Sequence, residues 1–239
     1  MIPSAHPAAI GIVLAGGASS RMQPGAPPGR RQVAPVRKEW LALGGRTLLD
    51  RVVDAVAAET SRTIVVTAPS RPLPPLSRAV DIVHDSRPGS GPLAALLDGL
   101  DAIDPTAEEP LVFVCSCDVP GVKRGVIRWL IARATATGAD WVVPEIAGHP
   151  QVLVSVIRRS IRGLIAAWLA AGRRDPSGLV ASLDRDKAAR IDLVTEQALA
   201  AVDPGFESFR DIDTPADLAA IGRQLPSSTG TGGAYTPPS

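Results

Sequence analysis

Short apolar runs alternate with longer amphipathic stretches along most of the chain. Five runs have the length and β-branched content of buried parallel strands, namely residues 9–15, 63–68, 81–85, 111–118 and 139–145. Between them, apolar residues recur at the spacing of one helix face over 47–59, 91–103 and 122–138. Further along, the pattern predicts a strand over 151–157, a helix over 160–172, a strand near 189–194 and a helix over 215–225.

This alternation predicts the fold class. Strands separated by helices favour a parallel sheet, because each crossover places its helix on one face of the sheet. We therefore expect an α/β fold with a doubly wound, mostly parallel sheet and helices on both faces. A single domain over residues 1–225 accommodates the pattern, and 239 residues with 45% apolar content are enough for one substantial core.

Two segments stand apart from the alternating pattern. Residues 23–37 contain four prolines and are expected to form a long, partly disordered loop inserted into the domain. Residues 226–239 are rich in Ser, Thr, Gly and Pro, a composition typical of a disordered tail. The N-terminal residues lack the basic and apolar regions of a signal peptide, and no uncharged apolar run is long enough to cross a membrane. The sequence thus predicts a soluble, cytoplasmic protein.

Charge and cysteine content narrow the function classes. With 25 Lys+Arg against 24 Asp+Glu and only 3% aromatic residues, the chain lacks the basic excess and stacking surface of a nucleic-acid binder. Cys115 and Cys117 are two residues apart on one strand, a spacing that does not suit a disulfide. Small buried residues are the favoured interpretation. Metal ligation is the alternative, although no second Cys or His pair lies at a matching spacing.

The stretch "GIVLAGGASSRM", residues 11–22, is the first candidate for chemistry. Ligands of open α/β sheets bind beyond the carboxyl ends of the strands, and glycines there let backbone N–H groups approach an anion closely. Arg21 adds a planar donor group suited to phosphate oxygens. A tight turn without a ligand is the alternative, because the glycine spacing matches neither the dinucleotide-binding nor the P-loop pattern.

Several motifs occur in one order along the chain. They are "LAGGASSRM", a lysine before "WLALGGRTLLDRVV", "DSRPGSGPLAALLDGL", "CDVP", "GHPQVLVS" and "FRDIDTPADL". Together they resemble the MobA-like nucleotidyltransferases, most closely the molybdenum cofactor guanylyltransferases, over roughly residues 9–222. The resemblance implies a Rossmann-like nucleotidyltransferase fold and a Mg²⁺-dependent reaction. In that reaction GMP passes from GTP to the phosphate of molybdopterin cofactor, and pyrophosphate is released. Molybdoenzymes or their chaperones would then receive the guanine dinucleotide product.

The resemblance also assigns roles to individual residues. The implied nucleotide-binding residues are Leu14, Ala15, Gly16, Gly17, Ser19, Arg21, Lys38, Asp85, Gly91 and Asp118. Arg21, Lys38 and Asp118 are implied to be catalytic, because nucleotidyl transfer needs positioned cations where charge develops. Asp118 would hold Mg²⁺, with Asp213, or instead Asp211, as the second ligand.

Each of these roles has a structural alternative. Asp118 ends a buried strand, where a carboxylate is costly unless it is paired or metal-bound, and its structural alternative is a helix or turn cap. Lys38 is otherwise an ordinary surface lysine, and Asp85 a turn former after a strand. Asp213 would otherwise assist Thr214 in capping the last helix.

The chain departs from the family pattern at two places. The guanylyltransferases usually run "R-M-G-x-D-K", whereas Lys38 lies sixteen residues beyond Met22 here. An asparagine that the family uses near the nucleotide is not evident, and Thr67 and Ser70 occupy its region.

The identity of the base and of the acceptor stays open between several alternatives. "LAGG" and the "GPLA" helix favour GTP, while "GHPQVLVS" and "DIDTP" are closer to cytidylyltransferases that act on the same cofactor. The further alternatives are a guanylyltransferase with another phosphorylated acceptor and a non-catalytic relative that binds nucleotide or cofactor. On the acceptor side, His149, Arg173 and Arg174 are candidates for binding, with ordinary structural roles as the alternative.

Overall fold

The computed structural model describes residues 9–16, 37–104 and 109–224. Its strands are β1 (Ile10–Leu14), β2 (Ala42–Leu43), β3 (Arg46–Thr47), β4 (Arg62–Thr67), β5 (Asp81–His84), β6 (Leu111–Ser116), β7 (Trp141–Ile146), β8 (His149–Pro150), β9 (Val154–Arg158) and β10 (Ile191–Val194). Its α-helices are α1 (Leu48–Ala57), α2 (Pro92–Asp101), α3 (Arg124–Thr137), α4 (Arg162–Ala170), α5 (Pro176–Arg185), α6 (Glu196–Leu199) and α7 (Pro215–Gln224).

One central sheet organises the domain. Its strand order is β10-β7-β9-β6-β1-β4-β5, and β8 extends it by pairing with the end of β7. Strand β1 pairs in parallel with β4 on one side and with β6 on the other, and β5 and β10 continue the parallel direction. Strand β9 runs antiparallel to both β6 and β7. The predicted doubly wound, mostly parallel α/β sheet is therefore confirmed.

Both faces of the sheet carry helices, because successive strand side chains point to opposite sides. On one face, Val13 of β1 joins a buried cluster with side chains of α1 and α3, such as Val52 and Ile127. On the other face, Ile12 joins a second cluster formed with α2, α4 and α5. This packing confirms the prediction of helices on both faces and leaves the carboxyl ends of the strands as an uncovered edge.

The pattern was wrong in three local respects. The 81–85 run is not a buried strand, since β5 lies at the edge of the sheet and Ile82 is 55% exposed. The 151–157 run starts too early, because a turn closed by the Val154 N–H and the Gln151 carbonyl precedes β9. Helix α5 was not predicted, although Asp175 caps it by accepting from the Gly178 N–H and Pro176 opens it, which is a standard start signal.

Two of the predicted segments lie wholly or mostly outside the described residues. Apart from Arg37, the 23–37 loop lies outside the described residues, and so does the 226–239 tail. In the described ranges, no helix has the length and apolar content needed to cross a membrane.

Gly11 offers a test of the packing between β1 and α1. A Cβ atom at this position would collide with Cγ1 of Val56, whereas one at Gly163 in α4 would meet nothing within 4 Å. We expect Gly11→Ala to lower the free energy of unfolding by about 1–3 kcal/mol through overpacking. The control Gly163→Ala should leave it unchanged or raise it slightly. Urea denaturation measures both, and equal midpoints for the two variants would contradict this packing.

Candidate functional site

A cavity of about 450 Å³ opens at the carboxyl edge of the sheet, above the ends of β1, β4 and β6. Predicted nucleotide-binding residues that line it are Leu14, Gly16, Lys38, Asp85, Gly91 and Asp118. The fold therefore gathers into one cavity residues that are separated along the chain. Gly17, Ser19 and Arg21 lie outside the described residues, so their predicted roles stay predictions.

Lys38 bridges two carboxylates at one end of this cavity. Its Nζ donates to Oδ2 of Asp118 at 3.1 Å and to Oδ1 of Asp213 at 2.5 Å. All three side chains are less than a third exposed. Burial by itself lowers the pKa of Lys38, but its hydrogen bond to Asp213 and its attraction to Asp118 outweigh burial, so the pKa is raised. Lys38 is therefore a fixed ammonium ion at neutral pH, not an ordinary surface lysine.

A short 3₁₀ turn, Lys38–Trp40, holds this lysine in place. Arg37 braces the turn by donating from Nε to Oε1 of Glu39 at 3.0 Å and from Nη2 to the Pro72 carbonyl at 2.5 Å. Trp40 donates from Nε1 to the same carbonyl at 3.2 Å. Glu39 is almost fully buried and lines the cavity, yet nothing in the local sequence distinguished it from a surface glutamate.

Ile212 positions Asp213 beside Asp118. The Ile212 side chain is buried in a small cluster with Leu43 and Leu48, and its N–H donates to the Asp118 carbonyl at 2.8 Å. The buried Ile212 side chain and its backbone bond therefore hold Asp213 where its carboxylate reaches Lys38.

Capping of the last helix uses a different aspartate. The Thr214 N–H donates to Oδ2 of Asp217 at 2.7 Å, and the Asp217 N–H donates back to Oγ1 of Thr214 at 3.2 Å, which forms a capping box. The carboxylate of Asp213 instead accepts from Lys38. The Asp213 N–H also donates to Oδ2 of Asp217 at 3.2 Å, so the backbone of Asp213 assists the cap while its carboxylate accepts from Lys38.

Asp118 and Asp213 are the residues best placed to hold a metal ion. Their oxygens converge on a single positive charge, which is now the Lys38 ammonium. Asp211 lies close by, and desolvation together with repulsion from Asp213 and Asp118 raises its pKa. In the described part of the chain, no cluster of three His, Cys, Asp or Glu residues has the spacing of a complete metal site. Any ion bound here would therefore take its remaining ligands from substrate or water.

Asp85 and Gly91 lie across the cavity from this cluster. Oδ1 of Asp85 accepts from the Arg87 N–H at 2.8 Å, so one carboxylate oxygen does form the turn that was the structural alternative. Contact between Asp85 and a nucleotide stays a prediction. Gly91 precedes α2 with φ +91°, a conformation that only glycine adopts readily, and α2 directs its N-terminus into the cavity.

The two residues after β1 behave differently from each other. The Ala15 N–H donates to the Val66 carbonyl at 2.8 Å, so this amide belongs to the sheet and is not available to a ligand. At Gly16, a Cβ would meet the Ala68 nitrogen at 3.5 Å, an ordinary contact, and φ is not left-handed. The described residues therefore leave room for a side chain at Gly16, and its contact with a nucleotide stays a prediction.

Arg173 and Arg174, two candidates for acceptor binding, lie against other residues of the protein. Arg173 stacks on the Trp168 ring at 4.6 Å, while the Arg174 carbonyl lies beside Gly91. Both cysteines are buried, and burial raises the pKa of their thiols, which fits small core residues.

Asp203 supports the segment that leads to Asp213. This fully buried carboxylate accepts from Lys123 Nζ at 2.8 Å and from the Ser208 N–H at 2.8 Å. Burial by itself raises its pKa, but the hydrogen bonds from Lys123 and Ser208 outweigh burial, so the pKa lies below its usual value. The chain after Asp203 is thereby fixed against the start of α3 before it continues to Ile212.

The chain is similar to a known protein family and to a named relative. The sequence matches the model of the family described as "MobA-like NTP transferase domain" over residues 11–187. A Mycobacterium ulcerans protein named "Probable molybdenum cofactor guanylyltransferase" is 34% identical over 177 residues, which cover 74% of this chain and 81% of that protein.

Solved structures share the fold. The molybdopterin-guanine dinucleotide biosynthesis protein A of Archaeoglobus fulgidus has a TM-score of 0.68 at 21% identity, over 90% of this chain and 97% of that one. The 2-C-methyl-D-erythritol 4-phosphate cytidylyltransferase of Thermus thermophilus has a TM-score of 0.59 at 18% identity, over 89% and 96%.

The surroundings of Asp203 predict a measurable dependence on pH. Because its pKa is lowered in the folded protein, Asp203 stabilises the fold at pH values above its unfolded pKa of about 3.9. That contribution is lost as the pH falls through the folded value. We expect Asp203→Asn to lower the free energy of unfolding by about 1–3 kcal/mol at pH 7, with a smaller gap to wild type at pH 3. Urea denaturation at both pH values tests this, with the exposed Asp104→Asn as control, and a gap that widens at pH 3 would contradict it.

Proposed function

This chain belongs to the MobA-like NTP transferase family, and on that premise we propose that it transfers GMP from GTP to the phosphate of molybdopterin cofactor. Pyrophosphate leaves, and the product is the guanine dinucleotide form of the cofactor. The observation that carries the proposal is the Lys38 ammonium, fixed between Asp118 and Asp213 at the end of a cavity that also contains Gly16 and Asp85.

The chemistry requires positive charge held in place. The acceptor phosphate attacks the α-phosphorus of the nucleotide, and negative charge grows on the non-bridging and leaving oxygens. Lys38 meets this need because its ammonium is held at the end of the cavity and is partly desolvated, which strengthens its attraction to negative charge.

Magnesium dependence is part of the same proposal. Asp118 and Asp213 would hold Mg²⁺, since both present carboxylate oxygens, the ligands this ion prefers, at one point of the cavity edge. The bound ion would supply charge neutralisation at the phosphate oxygens. Lys38 occupies the space between these carboxylates in this structure and would then pair with the phosphates.

The choice of GTP is supported by the name of the Mycobacterium ulcerans relative, which specifies guanylyl transfer. CTP is the second candidate, because "GHPQVLVS" and "DIDTP" are closer to cytidylyltransferases. We place the reaction in the cytoplasm, with molybdoenzymes or their chaperones as recipients of the product.

Release of pyrophosphate tests both the nucleotide and the metal. With molybdopterin present, we expect turnover with GTP and Mg²⁺, at least tenfold slower turnover with CTP, and none in EDTA. Asp118→Ala should reduce the rate at least 100-fold, because it removes a carboxylate that holds the metal and orients Lys38. Circular dichroism and the melting temperature should show that the variant stays folded, and Asp186→Asn should keep full activity. Faster turnover with CTP would overturn the choice of base, and unchanged turnover of Asp118→Ala would refute the metal assignment.

A further inference from the structure

Arg71 extends the cavity wall at the end of β4. It follows Thr67, the last residue of that strand, by four positions, and its N–H donates to the Ala68 carbonyl at 3.4 Å. This bond closes a turn that keeps Arg71 directly above the strand end. The residue is partly buried and lines the same cavity as Gly16 and Asp85.

The guanidinium of Arg71 has no partner within the described chain, where it makes no hydrogen bond, ion pair or ring contact. The other cation that lines the cavity in these residues, Lys38, is bonded to two carboxylates. Nearby arginines outside the cavity are also paired, as Arg78 is with Asp54 and Arg87 with Asp98. A guanidinium carries five N–H donors, and none of the described residues accepts from those of Arg71, so a molecule in the cavity can do so.

The backbone next to Arg71 is nevertheless held in place by hydrogen bonds. The next residue, Pro72, accepts hydrogen bonds at its carbonyl from both Arg37 and Trp40. These two residues flank Lys38 in the 3₁₀ turn. The turn that bears Arg71 is therefore tied to the turn that bears Lys38, and a ligand that spans both residues meets a single rigid frame.

The position of Arg71 corresponds to the base end of a nucleotide. Asp118 follows β6 and Arg71 follows β4, with β1 between them, so two strand spacings of about 5 Å separate the ends of their strands. In a nucleoside triphosphate, the ribose separates the base from the α-phosphorus. With the α-phosphorus at Lys38 and Asp118, a nucleotide that extends along the cavity past Gly16 and Ala68 would bring its base to Arg71.

We propose that Arg71 recognises the guanine base by donating two hydrogen bonds to its O6 and N7 atoms. Arginine pairs with these two adjacent acceptors in a bidentate manner, whereas adenine presents a donor beside N7 and repels one arm of the guanidinium. This role deepens the proposed function and rests on it, because it takes GTP as the nucleotide. It makes Arg71 a residue that determines base specificity.

Binding of nucleotides without acceptor tests the proposal. We would measure GTP, ATP and 7-deaza-GTP, which lacks the N7 acceptor, by isothermal titration calorimetry with wild type and Arg71→Ala. Wild type should bind 7-deaza-GTP roughly tenfold more weakly than GTP, as expected for the loss of one charged hydrogen bond. Arg71→Ala should bind GTP about 10- to 100-fold more weakly than wild type and no longer distinguish the two guanine nucleotides. Arg223→Ala, which removes an exposed arginine of α7, should behave as wild type.

Three results would overturn this role. Equal weakening of GTP, 7-deaza-GTP and ATP in Arg71→Ala would place Arg71 at the phosphates instead of the base. Unchanged affinity for GTP in that variant would show that Arg71 does not contact the nucleotide, while the proposed function would survive. Absence of any nucleotide binding to wild type would instead refute the proposed function itself.

Discussion

The carboxylates of Asp118 and Asp213 both accept hydrogen bonds from the Lys38 ammonium, and this positive charge stabilises their close approach. Asp118 and Asp213 would repel each other in a partly buried position without a positive charge between them. The bridge joins residues that are 80 and 175 positions from Lys38 along the chain. It therefore fastens the early 3₁₀ turn, the end of a central strand and the C-terminal segment to one another, and the candidate site exists only where all three meet.

The supports around the bridge explain why it has one geometry. Pro72 holds the turn before and after Lys38, Ile212 ties Asp213 to the Asp118 backbone, and Asp203 fixes the approach to that segment. Each support is a hydrogen bond or a buried apolar contact outside the cavity. Because these supports do not involve the Lys38 ammonium, they would remain in place if Lys38 turned from its carboxylates to a ligand.

Much of this could be predicted from the sequence, because periodicity and strand-end motifs are local signals. Ile12 and Val13 lie in a continuous apolar run of the kind that forms a buried strand. Asp118 directly follows another such run. The edge position of β5 could not be predicted, since the apolar pattern of residues 81–85 does not say how many neighbours the strand has. Strand order is a property of tertiary packing.

Pairing between side chains is the part of the site that sequence reasoning missed. The motif around Lys38 suggested a phosphate ligand, but its contact with Asp213 spans most of the chain and has no local signal. Arg71 looked like any loop arginine, because only the folded structure shows that it lines the cavity and has no partner among the described residues. Glu39 is a similar case, because only the folded structure shows that it is buried.

The central claim is that the Lys38 bridge is the centre of nucleotidyl transfer. The most direct measurement is single-turnover transfer, by wild type and Lys38→Met, from GTP labelled at its α-phosphate to molybdopterin. We predict labelled dinucleotide cofactor with wild type and at least a 100-fold slower transfer by Lys38→Met, in a variant that still folds. Transfer by folded Lys38→Met at the wild-type rate would contradict the account.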